Sequence, residues 1–309
     1  MTASTPFHGV LNIYKEAGFT SSDVVVKLRG ILRMRKIGHT GTLDPAAEGV
    51  LPVCLGKATK LVPLLTDHDK VYVATCRLGV RTDTQDMTGA VLEEISDEEV
   101  RRRLPGGEAD IQKAAAAFVG GYDQLPPMFS AVKVGGKKLY ELAREGKTVV
   151  RTPRRVEIYD ITLLSWDPPR VTLQIHCGKG TYIRTLCEDL GERLGTHGAM
   201  ETLLRTRVGA CRLEEAHRLA DLEERMRKGR TAVEEILRPV DSFFPEAPRL
   251  ELSGTLLSRL QNGNPLPLAE LADLPAGERY RLYDTAGDFL ALYRRDEKKA
   301  LLVPEQMFL

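Results

Sequence analysis

The stretch GHTGTLDPAAEGVLP, residues 38–52, places one carboxylate in a loop of residues that shape the backbone. Gly38 and Gly41 precede Asp44, and glycine permits turns that other residues cannot make. Pro45 biases the residue before it toward an extended backbone, so Asp44 is presented at a defined angle. An Asp-Pro pair between glycines is also an ordinary turn, in which the Asp side chain binds nearby amides. The loop alone leaves both interpretations open: a reactive carboxylate and a structural turn.

Six further blocks of sequence extend this pattern in a fixed order. They are NIYKEAGFTSS (12–22), DKVYV (69–73), RLGVRTDTQD (77–86), QLPPMFSAVK (124–133), GKGTYIR (178–184) and LLRT (203–206). Together with the loop, these blocks resemble the bacterial tRNA pseudouridine-55 synthases, the TruB family. The resemblance runs from about Gly9 to near the C-terminus, and so many ordered blocks are more specific than one short motif. It favours a reactive carboxylate at Asp44.

The bulk composition is that of a globular protein with no membrane segment. A chain of 309 residues can form one large domain and a small one. No apolar run approaches the ~20 residues that cross a membrane, and the N-terminus does not resemble a signal peptide. The five cysteines form no Cys-x-x-Cys pair, which argues against a zinc ribbon or a disulfide framework. We expect a cytoplasmic protein whose cysteines are reduced and mostly packed.

Basic residues are unevenly distributed, although the net charge is only +1. Between Lys133 and Arg155, eight basic residues accompany two acidic ones. A second basic cluster lies just before the Asp44 loop and comprises Lys27, Arg29, Arg33, Arg35 and Lys36. Clusters of this kind bind phosphate backbones, although a single charged run is often only a solvated face. Because two clusters lie on either side of a candidate loop, nucleic-acid binding and a merely solvated charged face are equally favoured.

The hydrophobic pattern predicts alternating strands and helices around the loop. Thr20, Ser21 or Ser22 can cap a helix before the loop. The segment 71–78 predicts a strand with Tyr72 on one face and Val73 on the other. The segment 171–177 alternates as a second strand, and the glycines at 178 and 180 precede a helix that has Arg184 in its first turn.

The predicted fold class is α+β, with a largely antiparallel central sheet flanked by helices and loops. We expect a catalytic domain over residues 1–240, with a basic, glycine-marked arm at about 124–152. Residues 238–249 are proline-rich and predict a linker. Residues 250–309 resemble a PUA domain, a small RNA-binding β-barrel.

The resemblance implies specific roles for residues of this chain. Asp44 matches the catalytic nucleophile, Tyr72 the active-site tyrosine that stacks on the flipped base, and Arg184 the arginine that pairs with the aspartate. The further residues expected at the substrate are His39, Lys15, Asp86, Leu204, Lys133 and Tyr182. Among these, Asp86 is expected to help hold the arginine, and Leu204 to line the uracil pocket. Lys15 precedes Glu16 at a position where the family commonly has proline, so the resemblance does not define the shape of that loop.

The implied reaction converts a uridine of the tRNA T loop to pseudouridine, with the acceptor arm contacted by the C-terminal unit. A carboxylate can both attack and leave, so the reaction requires no metal and no cofactor. We expect tRNA as the partner, with no obligatory protein partner, and a monomer. Three alternatives remain: an isomerase of ribosomal or guide-directed RNA, a non-catalytic RNA chaperone, and a carboxylate hydrolase. A chaperone role can also accompany catalysis.

Overall fold

The computed structural model describes residues 6–271 and 274–309. The strands are β1 Gly9–Lys15, β2 Ile37–His39, β3 Glu48–Leu55, β4 Lys70–Leu78, β5 Val80–Thr82, β6 Val91–Glu94, β7 Gly120–Gln124, β8 Lys133–Val134, β9 Lys137–Lys138, β10 Arg154–Asp167, β11 Arg170–Cys177, β12 Gly198–Val208, β13 Cys211–Arg212, β14 Arg249–Glu251, β15 Leu266–Pro267, β16 Arg279–Tyr283, β17 Phe289–Asp296 and β18 Leu301–Met307. The α-helices are α1 Ser21–Leu32, α2 Val62–Thr66, α3 Asp97–Arg103, α4 Glu108–Ala116, α5 Leu139–Arg144, α6 Ile183–Leu194, α7 Leu219–Lys228, α8 Arg230–Glu234 and α9 Gly254–Gln261.

A central mixed sheet is formed by strands within residues 9–212. Its main path runs β1-β3-β12-β4-β11-β10-β7, with β2 beside β3 and β13 beside β12. The pairings are antiparallel except for the short parallel contact between β3 and β12. The predicted α+β class with a largely antiparallel central sheet is confirmed.

The strand β4 shows how the sequence pattern determines the core. Tyr72, Ala74 and Cys76 are buried, whereas Val71 and Val73 are half-buried on the opposite face, as the alternation predicted. The helices α4 and α6 cover the buried face and form one hydrophobic core with β4, β10 and β11. Burial of the α6 face therefore fixes this helix, and Arg184 in its first turn, against the sheet.

Two further cores enclose the other end of the sheet. The helices α1 and α7 pack on β1 and β3 through leucines such as Leu28 and Leu222. Thr20 caps α1 by accepting a hydrogen bond from the Asp23 amide at 3.0 Å, which selects one of the three predicted caps. The third core joins residues of the strands β1 and β3 to Phe244 and Phe308 of the C-terminal part.

The predicted linker is partly buried. Within residues 238–249 a 3₁₀ helix spans Val240–Phe243, and Phe243, Phe244 and Ala247 are buried in the third core. The proline pattern indicated a break in periodicity but carried no information about the tertiary contacts of the two phenylalanines. The two units of the chain are therefore joined by packing as well as by the backbone.

The C-terminal unit is a curled five-stranded sheet in the order β14-β16-β17-β18-β15. Its separate core contains Leu260, Tyr280, Leu282 and Tyr293. The helix α9 begins after Ser253, whose side chain makes no capping hydrogen bond. The strands β16 and β17 contribute the buried Tyr280, Leu282 and Tyr293 to this core.

The predicted basic arm forms a hairpin of β8 and β9 followed by the short helix α5. Gly135 and Gly136, with φ of +59° and +86°, make the turn between the two strands. Arg151 donates a hydrogen bond to the Pro126 carbonyl at 2.9 Å and ties the two ends of the arm together.

Two smaller predictions concern cysteines and membrane segments. All five cysteines are free and buried, as the sequence indicated. Within residues 6–271 and 274–309, every helix is too short or too polar to span a bilayer.

Candidate active site

The Asp44 loop connects β2 to β3 at the edge of the central sheet. Residues at and just before the start of α1 anchor this loop through hydrogen bonds. The Lys15 ammonium and the Gly18 amide both donate to the Pro45 carbonyl, at 3.2 and 2.9 Å. The Leu43 amide donates to the Ser21 hydroxyl at 2.9 Å. Because both neighbours of Asp44 are held, the loop presents the carboxylate on a fixed backbone.

The two glycines that precede Asp44 have different conformations. Gly41 has φ of +150°, so a side chain there would be strained, as the sequence indicated. Gly38 lies within β2 and has no such conformation, so the expectation that it shapes the turn is wrong. A third glycine, Gly49, has φ of +106°, and a Cβ atom there would lie 2.2 Å from the Arg205 carbonyl oxygen.

Asp44 forms an ion pair with Arg184. The Arg184 Nε lies 2.9 Å from Asp44 Oδ2, and Nη2 donates to Asp44 Oδ1 at 3.4 Å. The Asp44 side chain is 38% exposed, whereas that of Arg184 is only 6% exposed. The guanidinium therefore approaches the carboxylate from the protein interior, while solvent or a substrate can reach the carboxylate from outside.

Backbone carbonyls hold Arg184 in this position. Its Nη1 donates to the Thr84 carbonyl at 3.2 Å, and its Nη2 donates to the Phe129 carbonyl at 2.8 Å. The Asp86 carboxylate is farther away, with 3.9 Å between its Oδ2 and the Arg184 Nη1. Asp86 instead accepts hydrogen bonds from Thr88 and Thr84. It thus shapes the loop whose Thr84 carbonyl contacts the arginine.

Tyr72 lies beneath the loop on the buried face of β4, where 8% of its surface is exposed. Burial raises the pKa of the Tyr72 hydroxyl, and the positive charge of the nearby Arg205 acts in the opposite direction. A raised pKa keeps Tyr72 a neutral phenol near neutral pH. The surrounding core holds the tyrosine ring in place.

Lys15 is fully buried, so it is not placed for the direct contact with substrate that was expected. Its ammonium donates to the carbonyls of Glu16 and Pro45, at 3.1 and 3.2 Å. Burial lowers the pKa of Lys15 to about 8, although the carboxylates of Glu48 and Asp44 counteract this effect. The structure therefore places Lys15 as a brace under the Asp44 loop.

His39 stands at the end of β2, half-buried at the start of the loop. Its Nδ1 accepts a hydrogen bond from the Gly41 amide at 3.3 Å. Burial and the nearby Arg205 lower its pKa, so the neutral imidazole predominates at neutral pH. This state fits the expected contact or stacking role better than proton transfer.

The strand register places Leu203, and not Leu204, beside Tyr72. Leu203 lies opposite Ala74, and Leu204 lies opposite Val73. Directly opposed residues of antiparallel strands share a face, so Leu203 lies on the face of Tyr72, in the same core. Leu204, which the resemblance implied as the lining of the uracil pocket, is half-buried on the other face.

The remaining two expected residues lie outside the ion pair. Tyr182 immediately precedes α6, and the Gln124 side chain bonds to both its backbone amide and its carbonyl. This contact ties β7 to the start of the helix that carries Arg184. Lys133 is exposed on β8 in the arm, and in the described parts of the chain it has no ion-pair partner.

Arg205 is the main site residue that the sequence reasoning did not single out. It lies within the LLRT block, in which the resemblance implied a role only for the neighbouring Leu204. At 1% exposure it is the largest fully buried side chain of the described residues. The available signal was an arginine in phase with buried residues of a strand, where a charge is costly unless it is well satisfied.

A cavity of about 620 Å³ lies along α6, and neither Asp44 nor Arg184 lines it. It runs between this helix and the two ends of the arm, and its lining includes Gln85, Thr185, Asp189, Met128 and Arg151. Burial, then the neighbouring Glu188 and Glu192, raise the pKa of Asp189 to about 6. Polar groups and apolar rim residues thus surround a space large enough for a small organic group.

This geometry defines an α+β enzyme scaffold with an exposed aspartate that a buried arginine orients at the edge of a mixed sheet. The family model "TruB family pseudouridylate synthase (N terminal domain)" matches residues 29–183. The model "tRNA pseudouridylate synthase B C-terminal domain" matches residues 184–244. The chain belongs to the TruB family of pseudouridylate synthases and is an isomerase.

Individual relatives agree with this assignment. The chain is 46% identical to tRNA pseudouridine synthase B of Lachnoclostridium phytofermentans, over 98% of this chain and 100% of the relative. It is 41% identical to tRNA pseudouridine synthase B of Bacillus pumilus, over 96% of each. Among solved structures, the crystal structure of a Cbf5-Nop10-Gar1 complex contains a similar chain, with a TM-score of 0.71 and 25% identity. That match covers 98% of this chain and 85% of the other.

Proposed function

We propose that this protein isomerises uridine 55 in the T loop of tRNA to pseudouridine, with Asp44 as the nucleophile. The observation that carries the proposal is the Asp44–Arg184 ion pair, in which the carboxylate is accessible and the arginine is not. The printed name of the relatives, tRNA pseudouridine synthase B, supports tRNA as the substrate.

The reaction breaks the bond between ribose C1′ and uracil N1, turns the base, and joins C1′ to C5. C5 then loses its hydrogen to solvent and N1 takes up a proton, so the product is an isomer of the substrate. Asp44 suits both attack and departure because a carboxylate is stable as an anion. Asp44 can attack either ribose C1′ or uracil C6. We assign to Tyr72 the stacking on the flipped base and the removal of the C5 proton, for which its hydroxyl must first give up its own proton.

A target uridine within a folded T loop must be flipped out before it reaches Asp44, at a cost of a few kcal/mol. Contacts with the phosphate backbone offset that cost. One basic surface precedes the loop, and all its members are exposed: Lys27, Arg29, Arg33, Arg35 and Lys36. Lys133 on the arm is exposed as well, and so is Arg154, just beyond the arm at the start of β10. These two surfaces lie before and after the Asp44 loop in sequence and fit an RNA that spans the site.

The division of labour follows the two units of the chain. Residues 1–240 carry the chemistry, with the arm at about 124–152 on the T loop. Residues 250–309, a PUA-like unit, contact the acceptor arm. Flipping and releasing the T loop also gives a misfolded tRNA another opportunity to fold, so a chaperone role accompanies catalysis. A tRNA substrate fits a cytoplasmic site of action, and a monomer with no obligatory protein partner is sufficient for every contact proposed.

The test is tritium release from an unmodified tRNA transcript that is labelled at uridine C5, because formation of the C1′–C5 bond expels that hydrogen. The wild-type protein alone should release tritium, and Asp44→Asn should not. Asp69→Asn is the matched control, since Asp69 is a half-buried carboxylate that pairs with Arg207 and His176 instead. Replacing the T-loop uridine 55 by cytidine should abolish the release.

Three results would contradict the proposal. Release of tritium by Asp44→Asn at the wild-type rate would remove Asp44 from the chemistry. Release that persists with cytidine at position 55 would move the target to another uridine. Tight tRNA binding without any release by the wild type would instead favour the chaperone role or another RNA substrate, such as a ribosomal or guide-directed one.

A further inference from the structure

Arg205 is enclosed by the loop that carries Asp44. Its Nε donates to the Val50 carbonyl at 2.7 Å, and its Nη2 donates to the Gly41 carbonyl at 3.4 Å. Gly41 and Val50 flank the Asp44 loop on its two sides. One guanidinium therefore bridges the two ends of the loop from within the protein.

The strand register places the same residue against Tyr72. In β12, Arg205 lies opposite Tyr72 of β4 on one side and opposite Gly49 of β3 on the other. The close approach at Gly49, where a Cβ atom would lie 2.2 Å from the Arg205 carbonyl oxygen, leaves little freedom for the strand to move. Arg205 thus connects the Asp44 loop to the strand of the active-site tyrosine.

The charge of Arg205 is not neutralised by a carboxylate. In the described parts of the chain, no Asp or Glu oxygen lies within 4.0 Å of its guanidinium, and the carbonyls of Val50 and Gly41 accept its hydrogen bonds instead. Burial lowers the pKa of His39 and Lys15, and the charge of Arg205 acts in the same direction; at Tyr72, where burial raises the pKa, that charge acts against burial. A buried cation with no ion-pair partner contributes little to stability compared with an apolar residue, which points to another reason for its presence.

We infer that Arg205 is a positioning residue of the isomerisation: from beneath the Asp44 loop it holds that loop and the strand that carries Tyr72 in one arrangement. This inference rests on the proposed roles of Asp44 and Tyr72. Arg205 itself does not touch the substrate, because it is buried beneath the loop. Its loss should lower the rate of the chemical step without weakening the binding of tRNA.

The experiment compares Arg205→Met and Arg205→Lys with Arg207→Met. Arg207 lies on the same strand but bonds to Asp69 at 2.6 Å and makes no contact with the loop among the residues that the structure describes. Single-turnover tritium release and tRNA affinity are measured for each folded variant. Arg205→Met should lose about 100-fold in rate, as expected for a misplacement of about 1 Å, with the affinity within about threefold of wild type. Arg205→Lys, which keeps the charge and one of the two bonds, should lose less.

A spectroscopic measurement separates positioning from a general loss of structure. With ¹³C at Cζ of the tyrosines, and with Tyr72→Phe to assign the Tyr72 resonance, Arg205→Met should shift that resonance while Arg207→Met leaves it in place. If Arg205→Met does not fold at the assay temperature, Arg205→Lys provides the same comparison of rate, affinity and resonance.

Three outcomes would overturn the inference. They are a wild-type rate in Arg205→Met, an equal loss of rate in Arg205→Met and Arg207→Met, and an effect of Arg205→Met that lies wholly in the affinity for tRNA. The variant Asp44→Asn distinguishes a failure of the inference about Arg205 from a failure of the proposed function. If Asp44→Asn keeps the activity, the proposed role of Asp44 is wrong. If it is inactive while Arg205→Met is fully active, only the inference about Arg205 is wrong.

Discussion

Replacing Arg184 by lysine keeps the positive charge but removes the shape that holds the ion pair. The guanidinium contacts both carboxylate oxygens of Asp44 and also donates to the carbonyls of Thr84 and Phe129. A lysine ammonium is a compact group with three donors on a flexible stem, so it cannot span the same four acceptors. We expect Arg184→Lys to retain a weakened contact with Asp44 and to lose one or both carbonyl contacts.

The size of the effect follows from these contacts. A hydrogen bond to a charged group contributes about 1.5–3 kcal/mol, so two lost carbonyl contacts amount to about 3–6 kcal/mol before relaxation. Because the Arg184 side chain is only 6% exposed, water can replace few of these bonds. A loss of about 3 kcal/mol after relaxation should lower the Tm by about 5 °C or more. Misorientation of Asp44 should lower the rate about 100-fold.

The assay combines thermal unfolding with single-turnover tritium release from C5-labelled tRNA. Arg207→Lys is the matched control, because Arg207 also pairs with a carboxylate but is 23% exposed; it should change the rate little. A wild-type rate in Arg184→Lys would refute the argument that the fork geometry of the arginine orients Asp44. A lower Tm with an unchanged rate would limit Arg184 to a structural role.

Three further predictions concern the residues around the loop. Gly49→Ala should destabilise the protein by about 3 kcal/mol or more in thermal unfolding, because its Cβ atom would lie 2.2 Å from the Arg205 carbonyl oxygen at a φ of +106°; near-wild-type stability would contradict this. Between pH 8 and 10 the unfolded chain holds the Lys15 proton more strongly than the folded chain, whose Lys15 pKa is about 8, so the free energy of unfolding should rise with pH. Urea unfolding should show a smaller rise for Lys15→Met, and an equal rise would exclude Lys15 as its source. Leu203→Ala should cost about 2–5 kcal/mol and lower the rate of tritium release, whereas Leu204→Ala should do neither, and the reverse order would show that the register argument is wrong.

The sequence was sufficient for those features that depend on local pattern. The alternation in β4 predicted which face Tyr72 occupies, and the helix start after residues 178–180 predicted the place of Arg184. Both signals come from the periodicity of burial, which a single chain segment reveals. Bringing Asp44 next to Arg184, which is 140 residues away, came only from the resemblance, because no local pattern encodes a contact between distant segments.

The features that the sequence did not predict depend on register and on three-dimensional packing. Whether Leu203 or Leu204 borders Tyr72 is decided by a one-residue shift between β12 and β4, and such a shift moves every side chain to the other face. Lys15 was expected at the substrate, but its burial beneath Pro45 depends on how the first segment passes under the loop. The packing of Phe243 and Phe244 depends on contacts with the C-terminal unit.

The contacts of Arg184 also connect the arm to the chemistry. Phe129, whose carbonyl holds the arginine at 2.8 Å, lies in the first part of the arm, and Arg151 near its other end bonds back to Pro126. A displacement of the arm therefore changes the position of an acceptor that orients the guanidinium. Because the same guanidinium orients Asp44, RNA contacts on the arm and the geometry of the carboxylate are not independent. A ligand that shifts the arm would therefore also shift the guanidinium that already pairs with Asp44, which links binding at the arm to the geometry of the carboxylate.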